Sequence, residues 1–430
     1  MSDPWHELIR RIHEAPLQAV IVVTGGGASA ISELLSVPGG SRTVLEAVVP
    51  YSSAALVDWL GRPPDHFCVE ETALAMAAVA YERAKVLAEA QRTQARGETP
   101  AQSVDSSDCE FVGVACTASL VSDRPKKGEH RCYIATQGRC ATSSRSLVFE
   151  KGARDRQGEE HLVGNLILKA LAQAAGIADL PALDLRPGEK VVSESATADP
   201  LAVELLEGKR GVVWSLPAAD IAADTRGKPA DGPVSRGESE THTRSAPLHQ
   251  VLPFPHSAPT GLVCGAFHPL HFGHEQLRPA AERILGGPVY YEISLLNVDK
   301  PPLDFLSLER RRAQFTGQPL ALTAAATFAE KASLLPSLTF VVGIDTAERI
   351  VDPRYYGGSE AAVRKALEKI REAGCRFLVA GRMMGDSFRT LSDARVPAEF
   401  ASLFAEIPAS EFRADVSSSQ LRRAAAKPQA

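Results

Sequence analysis

Apolar runs, glycine turns and helically spaced apolar positions recur in two stretches of this chain, with a polar stretch between them. In the first, Leu17 to Val23 is unbroken apolar sequence ending in Thr24-Gly25-Gly26-Gly27-Ala28-Ser29, and Ile31, Leu34 and Leu35 follow at helical spacing. Strand, glycine turn and helix in that order open an α/β unit. Trp5 to His13 reads as a short amphipathic helix, Val44 to Val49 as a strand, and Tyr51 to Leu60 as a helix capped by Ser52 or Ser53 and stopped by Gly61. The alanine-rich stretch Glu70 to Ala90 is a helix and Gln91 to Ser107 a loop. Phe111 to Cys116 is a strand, Cys132 to Thr136 and Ser144 to Phe149 pair antiparallel, and Arg154 to Ala174 closes the unit as a helix. Residues 1–178 therefore form one α/β domain of ordinary size.

From 179 to 258 the pattern thins to a linker. It holds one short helix at Leu201 to Leu206, one strand at Gly211 to Leu216 and a flexible segment at about 223–248. Residues 259–430 alternate again. Strands are expected at Gly261 to Cys264, Val289 to Leu295, Ala321 to Leu322, Leu338 to Val342 and Arg376 to Ala380. Helices are expected at Glu275 to Leu285, Leu308 to Phe315, Ala325 to Leu335 and Val363 to Gly374. Alternating strand and helix favours a doubly wound parallel sheet, so the fold class is α/β with two domains.

Composition narrows the function. A net charge of −5 over 430 residues gives no basic footprint for nucleic acid. No apolar run is long enough for a membrane span, and the N-terminus lacks the apolar core of a signal peptide. The seven cysteines are odd in number and form no C-x-x-C pair, which suits reduced thiols in a cytoplasmic setting. Cys132, Cys140 and His130 are the one weak metal-ligand combination.

The chemistry concentrates at Gly265-Ala266-Phe267-His268-Pro269-Leu270-His271-Phe272-Gly273-His274, a strand-to-helix turn. Backbone N–H groups and the positive end of a helix meet there, where an anion binds well. His271 and His274 stand about one helical turn apart, so both rings can face one phosphate. Near the other end runs Val416-Ser417-Ser418-Ser419-Gln420-Leu421-Arg422, hydroxyls at a helix start followed by a guanidinium. Two oxyanion cradles bracketing one domain suggest a nucleoside triphosphate site.

These two motifs together resemble those of the nucleotidylyltransferase superfamily, His-x-x-His after a glycine turn and Ile-Ser-Ser-Thr-x-x-Arg. Val416 and Ser419 replace the isoleucine and threonine, and His268 stands where the family has Asn or Asp. The resemblance implies transfer of a nucleoside monophosphate from a triphosphate, ATP above all, to a small phosphorylated acceptor, with release of pyrophosphate. His271, His274 and Arg422 would be catalytic. Gly265, Ala266, Phe267, Gly273, Gly343, Asp345, Ser417, Ser418 and Ser419 would hold the nucleotide, and Lys300 the acceptor. Mg²⁺ would arrive on the triphosphate, with no metal centre built by the protein. Adenylylation or cytidylylation of other phosphorylated acceptors, and a non-catalytic nucleotide-binding regulator, remain alternatives.

Residues 5–178 resemble a CinA-type domain, of the family that deamidates nicotinamide mononucleotide. The matching residues are Thr24 to Gly27, Val37-Pro38-Gly39, Val49-Pro50-Tyr51-Ser52, Glu70 to Ala78 and Gly113 to Ala115. Thr24 falls on the family's serine nucleophile, and Leu56 on its lysine. A hydroxyl nucleophile needs a base or cation beside it. The expectation is therefore a pocket at Thr24, Gly25, Gly26 and Tyr51 that binds nucleotide or phosphate without hydrolysis, or a structural dimerising module. Lys126 or His130 would be the substitute base if hydrolysis is retained. The likeness also implies a homo-oligomer through this domain. Together the two resemblances point to nicotinamide or nicotinate mononucleotide as acceptor.

Overall fold

The continuous apolar run at Leu17–Thr24 (β1) is explained by burial on both faces. In the computed structural model, which describes residues 3–96, 110–124, 126–215, 258–298, 301–384 and 387–413, β1 lies inside a mixed sheet. Ala19, Ile21 and Val23 enter one apolar layer, with Leu8, Ile9 and Ile12 of Pro4–Glu14 (α1), Leu34 of Ala28–Ser36 (α2) and Ile167 of Arg156–Ala174. Val20 and Val22 enter the opposite layer, with Leu56 of Ser53–Leu60 and Leu74 and Ala77 of Glu70–Arg96. A strand covered on both sides has no polar face to alternate with. The Ser53–Leu60 helix is capped by the Ser52 hydroxyl and ends at Gly61 in the left-handed region, as the sequence implies.

The strand order of this sheet is Val44–Val48 (β2), β1, Glu110–Ser119 (β3), Arg131–Gly138 (β4), Ala141–Val148 (β5) and Val192–Thr197 (β6). β1 pairs in parallel with β2 and β3, and the remaining pairs are antiparallel. The last strand corrects the expected boundary at 178. Residues 192–197 extend the first sheet, because the open edge of β5 has backbone groups to pair. The helix expected to stop at Ala90 runs on to Arg96, and the rest of the expected loop lies outside the described residues.

Two compact units result, Met1–Ala198 with Asp299–Ser307, and Asp199–Val298 with Leu308–Ala430. The linker expected at 179–258 is thus divided between them, and its flexible segment at about 223–248 lies outside the described residues. The short segment before Leu308 belongs with the first unit because Leu306 joins the apolar layer of Val20 and Val22.

In the second unit the strands are Val212–Ser215 (β7), Gly261–Cys264 (β8), Val289–Ser294 (β9), Leu320–Thr323 (β10), Thr339–Gly343 (β11), Arg376–Ala380 (β12) and Phe404–Ile407, here β15. A small hairpin, Arg382–Met384 (β13) with Ser387–Arg389 (β14), lies between the last two. The sheet order is β15-β12-β11-β8-β9-β10-β7. All neighbours are parallel except β7, which pairs antiparallel with β10 and caps that edge. The six parallel strands therefore run 6-5-4-1-2-3 in their own chain order, a doubly wound sheet whose direction reverses between β8 and β11. Phe340, Val342, Phe377 and Val379 pack with Leu367 and Ile370 of Glu360–Glu372 on one face. A helix that the sequence reading missed, Ile344–Val351, starts directly after Gly343. Among the described residues no helix is long and apolar enough to cross a membrane.

Candidate functional site

Ligands of doubly wound sheets bind beyond the carboxyl ends of the strands, where the strand order reverses. In the second unit that place is formed by the segments after β8, β11 and β12. The segment after β8 is the histidine turn. The helix behind it, Phe272–Leu285 (α8), has His271 as its N-cap and His274 in its first turn. The two imidazoles stack with centroids 3.8 Å apart and planes at 24°. The His271 backbone N–H faces His274 Nδ1 at 3.4 Å. With that nitrogen as acceptor, the ring proton of His274 sits on Nε2, free to donate. His271 Nδ1 is buried and has no hydrogen-bond partner among the described residues.

The turn is held from behind. Phe267 is buried and has a φ of 44°, a region that few residues other than glycine enter. Packing maintains it there: the Phe267 ring meets His274 edge-on at 4.9 Å, Phe315 at 5.2 Å and Tyr291 at 5.4 Å. Gly265 makes room for this arrangement, since a Cβ there would lie 3.0 Å from the Phe267 ring. Gln314 clamps the loop, donating from Nε2 to Phe267 O at 3.0 Å and accepting the Leu270 N–H at 2.7 Å. Arg311 Nη1 donates to Ala266 O at 3.1 Å, and Tyr291 donates its hydroxyl to His274 O at 3.4 Å. Gly273 is buried in the first turn of α8. Neither Gln314 nor Arg311 was singled out from sequence as part of the site, because both act on the turn from more than 40 residues away.

The segments after β11 and β12 add charge. Asp345 lies just past Gly343, and a Cβ on Gly343 would come within 2.7 Å of Asp345 Oδ1. That carboxylate accepts an ion pair from Arg382 Nη1 at 3.1 Å. Arg382, absent from the sequence-derived set, is the first residue of the hairpin after β12 and acts electrostatically on both histidines. Burial first, then His271 and Arg382, hold His274 down to a pKa of about 3. Burial and Arg382 also lower His271. Both rings are therefore neutral N–H donors at physiological pH rather than fixed cations.

A stability consequence follows from the sign of this shift. The unfolded chain protonates position 274 below the ordinary 6.5, and the folded chain only near 3. Across that window the unfolded state binds the extra proton, so stability falls as pH falls. His274→Gln should lose less unfolding free energy between about pH 7 and about pH 4 than the wild type, measured by urea denaturation.

Lys300, Ser417, Ser418, Ser419 and Arg422 lie outside the described residues. Of the sequence-derived set for this unit, the structure brings together Gly265, Ala266, Phe267, His271, Gly273 and His274 in one turn, and places Gly343 at the end of the adjoining strand with Asp345 in the first turn of the helix that follows it.

In the first unit, Thr24, Gly25, Gly26 and Tyr51 all line one cavity of about 460 Å³. Its chemistry differs from the expected phosphate cradle. The N-terminus of α2 is already filled by the chain's own carboxylate. Glu160 takes the Gly27 N–H at 2.9 Å and the Ser29 N–H at 3.1 Å. The glycines serve packing: a Cβ on Gly25 would fall 1.9 Å from Ala118 O, and one on Gly27 2.4 Å from Ile167 Cδ1. Glu160→Ala would strand those N–H groups and should cost about 1–2 kcal/mol, read as a lower midpoint in urea unfolding.

The Thr24 hydroxyl donates to Pro50 O at 3.0 Å. Leu56, in the place of the resembling family's lysine, is buried at 2% exposure. Neither suggested substitute base lines this cavity. Lys126 donates to Leu120 O at 2.8 Å, and His130 Nδ1 meets Glu159 Oε1 at 2.7 Å. Among the described residues no three His, Cys, Asp or Glu side chains gather to hold a metal, so His130, Cys132 and Cys140 do not form one.

No family model matches the chain. No curated protein matches it either. Solved structures do. The chain is similar to the competence/damage inducible protein CihA from Agrobacterium tumefaciens, at 19% identity and a TM-score of 0.29, over 41% of this chain and 97% of that one. It is similar to a competence or damage-inducible protein from Enterobacter asburiae at 15% identity and a TM-score of 0.28, over 41% and 98%. A CinA superfamily protein from Enterobacter cloacae matches at 16% identity and a TM-score of 0.28, over 41% and 93%.

Proposed function

We propose that the second unit is a nucleotidylyltransferase, moving a nucleoside monophosphate from a triphosphate to a small phosphorylated acceptor with release of pyrophosphate. The observation that carries this reading is the pair of neutral, stacked imidazoles at the N-terminus of α8, set where the doubly wound sheet reverses. An acceptor phosphate oxygen attacks the α-phosphorus and the bond to the pyrophosphate oxygen breaks. No protein atom becomes covalent. His271 and His274 donate to the triphosphate oxygens as negative charge builds, and the first N–H groups of α8 add their dipole. Arg382, released from Asp345, offers a further counter-charge. Ser418 and Arg422 grip the β,γ end and Lys300 meets the acceptor phosphate. Mg²⁺ would be held chiefly by the triphosphate itself, an ion that needs few protein ligands.

ATP with nicotinamide or nicotinate mononucleotide is the favoured substrate pair, following the resemblance of residues 5–178 to a CinA-type domain. The first unit, in this reading, keeps the frame of that domain without its hydrolytic pair and provides self-association. A pyrophosphate-release screen of ATP and CTP against phosphorylated acceptors tests the proposal. Release with ATP and a pyridine mononucleotide is expected, with no deamidation of the acceptor. Silence with every acceptor would sink it. Sedimentation velocity checks the self-association.

A further inference from the structure

At the edge of the first sheet, two cations meet with no acid between them. Side chains alternate along a strand, so Ser143, Arg145 and Leu147 of β5 share one face. It is the face covered by the Arg156–Ala174 helix, because Leu147 packs in the apolar layer of that helix. Ser193 of β6 stands directly opposite Arg145, and Ser195 opposite Ser143. The acids near these strands belong to the other face. Glu70 accepts from the Ser144 hydroxyl, and Glu194 is the register partner of Ser144. From the helix, Gln173 reaches Arg145, and Lys169 lies one turn before it.

Every acceptor these cations find is neutral. Arg145 donates from Nη1 to Ser143 Oγ at 3.0 Å and from Nη2 to Gln173 Oε1 at 2.7 Å. Lys169 Nζ donates to Pro181 O at 3.0 Å. Among the described residues neither has a carboxylate partner. Burial pushes the half-buried Arg145 guanidinium below its ordinary pKa, and no acid opposes the shift. Burial, then Arg145, lowers Lys169. The negative end of the helix does not answer them either, since Ala175, Gly176 and Ile177 donate their N–H groups to its last carbonyls. Half-buried cations are ordinarily paired, and two like charges side by side raise the cost of each. A guanidinium has five N–H donors and an ammonium three, so both have donors to spare. The Ser193 and Ser195 hydroxyls are exposed and make no hydrogen bond among the described residues, so the place opens to solvent.

We propose that this face binds a dianionic phosphate, inorganic or carried on a sugar as a monoester, held between Arg145 and Lys169 with the Ser193 hydroxyl as a further donor. Two unopposed positive charges match the two negative charges that a phosphate approaches at neutral pH, and a guanidinium presents paired donors to its oxygens. The site is separate from the cavity at Thr24, whose walls include none of these residues. It belongs to the first unit alone and stands whether or not the second unit transfers nucleotides. The test is calorimetry on the full chain at low salt and neutral pH with inorganic phosphate, ribose 5-phosphate and acetate. At least one of the two phosphates should bind saturably, and acetate about tenfold more weakly or not at all. Which phosphate binds tighter tells the free ion from the monoester. Arg145→Gln and, independently, Lys169→Gln should each weaken phosphate binding about tenfold or more with the thermal transition retained. Should Arg145→Gln fail to fold, Lys169→Gln supplies the comparison. His274→Ala should leave this binding in place. Phosphate binding that is lost in His274→Ala but kept in the Arg145 and Lys169 variants would belong to the second unit, overturning this proposal while leaving nucleotidyl transfer standing. No saturable phosphate binding, or acetate binding as tightly as phosphate, would overturn it as well.

Discussion

His274→Ala is expected to slow nucleotidyl transfer at least a hundredfold, about 3 kcal/mol of transition-state stabilisation, while the chain stays folded. Loss of one preorganised donor to developing phosphate charge has that magnitude. The geometry behind the expectation is specific. Nδ1 faces the His271 backbone N–H, so Nε2 carries the proton, and the lowered pKa keeps the ring neutral before substrate arrives. A neutral donor strengthens its bond as oxygen charge grows, without holding the ground state as tightly as a fixed cation. The loss should therefore fall on kcat more than on KM. Steady-state kinetics beside a thermal melt make the check. A variant with near-normal turnover would remove His274 from the chemistry. One that unfolds would show instead that its contact with Phe267 holds the turn together.

The largest stability effect is expected at Glu292, on β9. Its carboxylate is fully buried, and accepts from Lys331 Nζ at 2.6 Å and from the Thr323 hydroxyl at 2.6 Å. Lys331 is itself nearly buried, with its side chain 9% exposed. Burial is the largest single influence and works against its charge, but Glu292, with smaller contributions from Cys264 and Glu330, raises its pKa on balance. Glu292→Leu removes the partner and leaves a buried ammonium alone, at a cost of about 3–5 kcal/mol. For a unit of this size that lowers the melting temperature by about 10 °C. Lys331→Met should cost a similar amount by stranding the carboxylate. The double variant should be milder than either, because it strands neither charge, and a double-mutant cycle of unfolding free energies measures that coupling. Additive losses would show that the two groups do not depend on one another.

The sheets were legible wherever burial imposed a pattern. β1 reads as an apolar run because both faces are covered, and Ser52 and Gly61 mark a helix through local cap chemistry. The histidine turn was legible because its chemistry lies within ten consecutive residues. What the sequence concealed was long-range. Glu160 fills a glycine turn 133 residues away, so a motif that reads as an anion cradle carries its own anion. Gln314 clamps Phe267 and Leu270 from a helical turn with no motif of its own. Arg382 reaches the histidines only because β12 lies two strands from β8. The strand at 192–197 was missed because its residues are mostly exposed and alternate weakly, and an edge strand needs little apolar pattern to pair.

Nucleotidyl transfer by the second unit requires a triphosphate seated on the two imidazoles after β8. Imidazole ¹H–¹⁵N spectra of the full chain, recorded while a non-hydrolysable ATP analogue with Mg²⁺ is added, address it directly. Of the eleven histidines, His271 and His274 should shift together and saturably, with assignments from His271→Gln and His274→Gln. Saturable binding of the analogue with both resonances unmoved, or no binding of the analogue at all, would contradict a triphosphate site at these histidines.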